Sequence, residues 1–370
     1  MNIVYIHHSA NLGGAPKSLS YLVEGVSNQL KNNIVTIYTP GKGAGTDFIS
    51  SFSKNVFVDS RIIPFHNSVV SSTSLKKKLK GLCGVMLAPF FIFSILKHKP
   101  DIVHLNSSCL FFYAPFIKIF SRKIKVVCHL REPLLNNLIS KVILLILNKC
   151  TDSLIAISNS EVPSVSLKNI KIISNPIYSS SQKPKNIFIE NFNKKIITFS
   201  FMARCNYENG IFDFIEAARL FSDKSEFNIR FAIVGTDETD DPFILKAVKD
   251  ISNLSSYPMT DKVDEHIKNS SCLIVPFKVP HFSRTLIEFG LAGVPAIVYD
   301  KEPINQIIIN NHNGFVCKPT LLPLTKVIEN ISNDPSILES ISKNVFDDFA
   351  DWYNAATSIE KVTNIYRRLA

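Results

Sequence analysis

Short apolar runs alternate with longer amphipathic ones along nearly the whole chain, and that alternation limits the fold more than any other feature. In the first half, residues 3–6, 34–38, 102–105, 125–129, 153–157 and 171–173 read as strands, with helical patterns over 15–30, 75–97, 110–120 and 134–147 between most of them. Short strands separated by helices are the pattern of a parallel sheet covered on both faces. The pattern stops at the polar stretch Tyr-Ser-Ser-Ser-Gln-Lys-Pro-Lys, residues 178–185. It restarts with strand 196–201, helix 212–221, strand 229–234, helix 242–251, strand 271–275, helix 284–291 and strand 295–299, followed by helices. The expectation is α/β, as two doubly wound Rossmann-like domains facing a central cleft. The boundaries are 1–180, a linker at 181–195, 196–346, and a last helix in 347–370 that returns to the first domain. A length of 370 residues suits two cores better than one.

Charge is segregated between the halves. Residues 1–185 hold 22 Lys+Arg against 7 Asp+Glu, a balance of +15, while the whole chain carries +10. The longest apolar run, residues 81–96, is followed by Lys97 and Lys99 and preceded by Lys76, Lys77, Lys78 and Lys80. Sixteen residues fall short of the roughly 20 that a helix needs to cross a bilayer. A buried or interfacial helix is expected, with an anionic membrane surface as a candidate partner. Seven cysteines with no C-x-x-C pair, and an opening strand with no basic leader, suit reduced thiols and a cytoplasmic site at the inner face of the membrane. The charge does not form a nucleic-acid-binding stripe or module, so no nucleic acid is expected as a partner.

Three places can carry chemistry. Gly13-Gly14 sits where the first strand turns into a helix, and backbone N–H groups at such a turn can meet a phosphate. The spacing is neither G-x-G-x-x-G nor a P-loop, and a plain tight turn would also use glycine. Arg204 follows a buried strand directly; its guanidinium suits a pyrophosphate, or equally a structural ion pair. Glu288 lies on a helix that opens after a loop, where a carboxylate can accept both hydroxyls of a ribose or simply face solvent. The acidic loop around Asp237 and Asp241 reads as solvated, and no metal is expected. Ser107 and Ser108 lack a nucleophile elbow.

In order along the chain, Gly13-Gly14-Ala15, His129 after a mid-domain strand, Asn175-Pro176, Arg204…Gly210 and Phe282…Glu288 resemble the GT-B-fold glycosyltransferases. The nearest likeness is to the retaining family four, the glycosyl transferases group 1. The closing segment with Trp352-Tyr353 and Tyr366-Arg367-Arg368 also resembles that family's last helix. The resemblance implies transfer of a sugar from a nucleotide diphosphate sugar, with no cofactor beyond that donor, to a glycan or lipid-linked saccharide in surface polysaccharide, lipopolysaccharide or capsule assembly. It implies retention and no metal. It assigns Gly13 and Gly14 to the donor's phosphate and sugar, Arg204 to the diphosphate, Glu288 to the ribose and His129 to the sugar hydroxyls. Met259 would flank the base. Asn209, His281, Phe282, Ser283 and Arg284 would complete the donor site.

The chain departs from that family's pattern where it matters. Asn209 stands where the family has a lysine, Pro280 where it has the first glutamate of E-x7-E, and Gln306 where a further glutamate is frequent. Losing a cation beside a diphosphate removes leaving-group stabilisation on the order of a few kcal/mol. Lys278, His281 or Arg284 is expected to substitute. The alternative is a non-catalytic GT-B scaffold that binds a nucleotide sugar or a partner enzyme.

Overall fold

A computed structural model describes the chain except residues 31, 69–74, 163–166, 179–195, 223–227, 238–239, 261 and 281. The expected linker at 181–195 and the candidate His281 therefore lie outside the described residues. The chain forms two compact units, Met1–Ile177 with Asn354–Ala370, and Tyr178–Tyr353.

The first unit is built on a seven-stranded sheet in the order β3-β2-β1-β4-β5-β6-β7. These strands are β1 (Asn2–Ile6), β2 (Ile34–Thr39), β3 (Val56–Val58), β4 (Ile102–Leu105), β5 (Lys125–Leu130), β6 (Ser153–Ala156) and β7 (Ile170–Ile172). All the pairings are parallel. β4 and β6 are buried throughout, as strands covered on both faces must be. Side chains alternate between the faces. Val4, Val103, Val126 and Leu154 face a core made with α3 (Leu75–Leu96), α4 (Tyr113–Phe120) and α5 (Leu138–Cys150). Ile3, Tyr5, Val127 and Ile155 face the opposite core, made with α1 (Gly14–Gln29) and the C-terminal helix α12 (Ala355–Leu369). A short helix α2 (Ala44–Ser50) packs beside α1.

The second unit repeats the plan with six parallel strands in the order β10-β9-β8-β11-β12-β13. They are β8 (Ile196–Met202), β9 (Asn228–Thr236), β10 (Leu254–Pro258), β11 (Cys272–Val275), β12 (Ala296–Tyr299) and β13 (Phe315–Cys317). Its helices are α6 (Ile211–Leu220), α7 (Pro242–Asp250), α8 (Val263–Ile267), α9 (Arg284–Leu291), α10 (Leu321–Asn333) and α11 (Ile337–Trp352).

Two sequence expectations change. The single last helix is two, because Asn354 is extended and its side chain accepts from Thr357 N at 3.1 Å, capping a new helix. Of these, α11 packs on α9 in the second unit and α12 packs on α1 in the first. Second, α3 runs over Leu75–Leu96 as the helical pattern at 75–97 implies, but its stretch Lys78–Leu96, unlike the 16-residue apolar run, is long and apolar enough to cross a membrane by length and composition. A third of that stretch is nevertheless buried in the protein.

Candidate functional site

In an open parallel sheet, ligands bind at the carboxyl ends of the strands where the strand order reverses. In the second unit that point lies between β8 and β11. Two loops leave there, one into α6 and one into α9. Lys278 N donates to Glu208 O at 2.8 Å, tying the loops together. Gly210 has φ +77°, and a Cβ on it would sit 1.9 Å from Pro276 O, so only glycine fits that approach.

Arg204 lies two residues beyond β8, on the first loop. Its side chain is exposed and its guanidinium meets no hydrogen-bond or ion-pair partner among the described residues. Its carbonyl, by contrast, accepts from Asn206 N at 3.0 Å and from Asn209 Nδ2 at 2.9 Å. Asn209 is 8% exposed, and its amide N–H holds the loop that presents Arg204. A lysine there would lose that bond, so the substituted position has a structural use.

Glu288 lies on α9, and its Oε1 accepts from Arg284 Nε at 2.7 Å. The two side chains are 13% and 10% exposed, so the pair is largely shielded from water. Four residues of helix separate them, which puts both on one face. Ser283 is buried, and its Oγ caps α9 by accepting from Leu286 N at 3.1 Å. Phe282 packs against Tyr353, with ring centroids 6.4 Å apart. Met259 follows β10 and is 46% exposed. Lys278, an expected substitute cation, is already engaged. Its ammonium pairs with Asp213, lies 4.9 Å from the Tyr299 ring centroid, and Asp213 also accepts from the Tyr299 hydroxyl. Burial, then that bond to Asp213, raises the Tyr299 phenol far above its ordinary range. In the acidic loop, Asp241 caps α7 by accepting from Phe243 N at 2.8 Å. Among the described residues no group of three or more His, Cys, Asp or Glu could hold a metal ion.

In the first unit the order reverses between β1 and β4. Gly13 precedes α1, whose first turn has neither a side-chain cap nor an acidic residue. A Cβ on Gly13 would meet nothing within 4 Å, so packing within the chain does not require glycine there. Gly14 is exposed at the first position of the helix. Of the first-turn groups, Pro16 has no N–H and Lys17 N meets Gly13 O, which leaves the N–H groups of Gly14 and Ala15, uncapped among the described residues and carrying partial positive charge that suits an anion.

Sequence reasoning missed two buried networks behind these residues. Arg131 is 8% exposed; its Nε donates to Asn106 O at 3.1 Å, its Nη2 to Asn106 Oδ1 at 2.7 Å, and its Nη1 to Asn175 Oδ1. Asn106 in turn meets His7 Nδ1 at 2.8 Å. The second network includes His129, which is 2% exposed. Its Nδ1 lies 2.9 Å from His104 Nε2, and His104 Nδ1 lies 2.5 Å from the Tyr366 hydroxyl, itself 3.0 Å from the Tyr5 hydroxyl. Tyr5, His104 and His129 stand on β1, β4 and β5, and Tyr366 reaches them from α12. The Asn175-Pro176 pair hinted at the first network in the sequence; His129 and Tyr366 were singled out, but nothing local joined them to Tyr5 and His104.

Burial holds these imidazoles neutral. His104 is pushed down to about 3 by burial and then by Arg131. His8 is also pushed down to about 3, by burial and then by His66 and Arg131. Burial likewise lowers His7 and His129. The unfolded chain protonates these rings near pH 6.5, and the folded chain does not. Below about pH 6.5 the unfolded state therefore binds more protons, and stability falls with pH by up to about 1.4 kcal/mol per pH unit per imidazole. Above it their contribution is fully present. Urea midpoints should drop from pH 7 to pH 5 and stay level from 7 to 8; a flat profile through pH 5 would contradict the neutral assignment.

Residues 182–347 match the family of glycosyl transferases group 1. The chain is 22% identical over 390 residues to the alpha-1,3/1,6-mannosyltransferase ALG2 of Dictyostelium discoideum, covering 90% of each. Among solved structures it is similar to Anabaena HepE in complex with UDP-glucose, with TM-score 0.78, 14% identity and full coverage of both chains. It is also similar to the lipopolysaccharide outer core galactosyltransferase WaaB, with TM-score 0.62, 17% identity and coverage of 97% and 99%. Residues 182–347 of the second unit thus match the glycosyl transferases group 1 model, and the chain has the two-sheet GT-B fold.

Proposed function

We propose that this glycosyltransferase moves a sugar from a nucleotide diphosphate sugar to a hydroxyl of a lipid-linked glycan, with retention at the anomeric carbon and without a metal. The observation that carries the donor class is Arg204, an exposed guanidinium without a partner among the described residues, at the strand-order reversal of the unit that matches the group 1 model. A planar fork of donors suits the departing diphosphate, whose developing charge it neutralises. Glu288 takes the ribose hydroxyls through its second oxygen, while Arg284 holds the first. Phe282, Ser283 and Met259 shape the nucleoside's surroundings. Gly13, Gly14 and the uncapped start of α1 receive phosphate or sugar oxygens. His129 contacts a sugar hydroxyl with Nε2, since His104 occupies Nδ1. Retention needs no pair of carboxylates of the hydrolase kind if the acceptor attacks from the face the diphosphate leaves. The names of ALG2, a mannosyltransferase, and WaaB, an outer core galactosyltransferase, support a role in glycan assembly.

A second reading, a scaffold that binds the donor without turnover, draws on one observation. Lys278 is committed to Asp213 and Tyr299, so it does not replace the cation that Asn209 lacks. A thermal-shift screen over UDP, GDP and their sugars, joined to a donor-consumption assay, separates the readings. A ligand at 100 times its Kd stabilises the folded state by about 2.7 kcal/mol. Stabilisation with turnover is expected. Stabilisation without turnover would favour the scaffold, and no response to any nucleoside diphosphate would remove both.

A further inference from the structure

The first unit leaves a large apolar face uncovered, and it is formed by three adjoining helices. On α3 one side is fully buried in the core through Ala88, Phe91, Ile92 and Ile95. The opposite side presents Leu82, Met86, Phe90 and Phe93, which are 52%, 77%, 63% and 51% exposed. Their spacing of three or four residues makes a continuous stripe. The stripe continues onto α4, where the Phe120 ring lies 4.6 Å from that of Phe93. Beyond α4, α5 presents Leu138, Val142 and Leu145, at 76%, 48% and 53% exposed, while Ile143, Leu144 and Leu147 are buried. Soluble proteins rarely leave so contiguous an apolar face open without a partner.

Charge says which partner. Residues 75–150 hold 13 Lys+Arg against only Asp101 and Glu132. Lys80, Lys97, Arg122, Lys123 and Lys141 are exposed on or beside these three helices. A second copy of the chain would bring like charge against like. An anionic lipid surface instead offers opposite charge around an apolar interior, and each basic residue near it adds attraction. The helix does not cross that membrane. Its stretch Lys78–Leu96 has a mean hydropathy of 2.0, but the side facing Val103 and Leu105 closes the sheet's core. Pulling α3 out to span a bilayer would open that core to lipid and water.

We propose that the α3–α4–α5 face is a docking surface for an anionic phospholipid bilayer, with α3 and α5 lying in the plane of the headgroups and their apolar stripes entering the acyl boundary. This attachment goes beyond the transfer reaction and can fail without it, since the assays are separate. The test uses the full chain with phosphatidylcholine vesicles and with phosphatidylcholine–phosphatidylglycerol vesicles, read by flotation. Binding is expected on the anionic vesicles only, weakening as salt is raised. Met86→Asp with Phe90→Asp, and separately Val142→Asp, should each lower that binding by about 10-fold or more while leaving the thermal midpoint in place, because all three side chains face outward. As a direct reading of depth, Phe90→Trp in a Trp352→Phe background should be quenched by brominated lipid. Equal binding to both vesicle types, undiminished binding of the Asp variants, or an unquenched Trp would overturn the proposal. So would a concentration-dependent dimer that Met86→Asp dissolves in a chain that ignores vesicles, which would assign the face to a second copy.

Discussion

Arg204→Ala should lower kcat/KM for the donor by about 10²–10³ while leaving the thermal midpoint of the unliganded protein within error of the parent. The rate effect follows from removing a preorganised donor aimed at charge that develops as the diphosphate leaves. The absence of a stability effect follows from the structure. The guanidinium is exposed and engages nothing among the described residues, and the loop is held by its backbone carbonyl, which alanine retains. That split distinguishes Arg204 from Arg284 and Lys278, whose removal would take a counter-charge from the shielded carboxylates of Glu288 and Asp213. Arg204→Lys should fall between, keeping the charge but losing the fork. Steady-state kinetics with differential scanning calorimetry on both variants makes the comparison. Parental rates in Arg204→Ala would withdraw the diphosphate assignment, and a lowered midpoint would show a structural ion pair instead.

The parts of this molecule that could be read from its sequence are those written in local pattern. β4, β6, β11 and β12 are buried on both faces, so β11 and β12 appear as unbroken apolar runs, and β4 and β6 depart from one only at His104 and Ser153. β3, β10 and β13 did not, because they are short or largely exposed, and in Leu254–Pro258 two serines interrupt the pattern. The end of α11 was invisible because Asn354, which caps the next helix, sits inside a stretch that still looks helical. For the candidate site, Arg204, Gly210 and Glu288 were legible because they sit at fixed places around the strand-to-helix loops. The state of Lys278 was not, since Asp213 lies 65 residues away and Tyr299 on another strand. Asn209 looked like a lost ligand-binding group; folded, its amide is a brace for the loop in front of it. The same contrast holds for α3, whose composition gave an apolar run while its division into a buried and an open side needed the sheet beneath it.

Tyr366→Phe should have the largest effect of any change that removes a single atom. Its hydroxyl is the middle link between Tyr5 and His104, from a helix 262 residues beyond His104 in the chain. All three groups are fully buried, so removal leaves the Tyr5 hydroxyl and His104 Nδ1 with no partner to replace it, at about 1–3 kcal/mol each. A consequence for the reaction follows from proton counting. His104 is neutral and carries one ring proton, so whether its Nδ1 donates to or accepts from the Tyr366 hydroxyl decides what its Nε2 offers His129. That in turn decides whether His129 Nε2 presents a proton or a lone pair. With the Tyr366 hydroxyl gone, His104 is free to take either tautomer, and His129 is no longer held in one state. A lost hydrogen bond to a sugar hydroxyl is worth about 1 kcal/mol, so turnover should fall several-fold beyond what unfolding explains, with nucleotide affinity unchanged. Denaturant titration, calorimetry with the nucleoside diphosphate, and kcat measured well below the melting temperature separate these effects. Lower stability with unaltered kcat would leave Tyr366 a purely structural tie between α12 and the sheet, and His129 without the positioning role drawn for it.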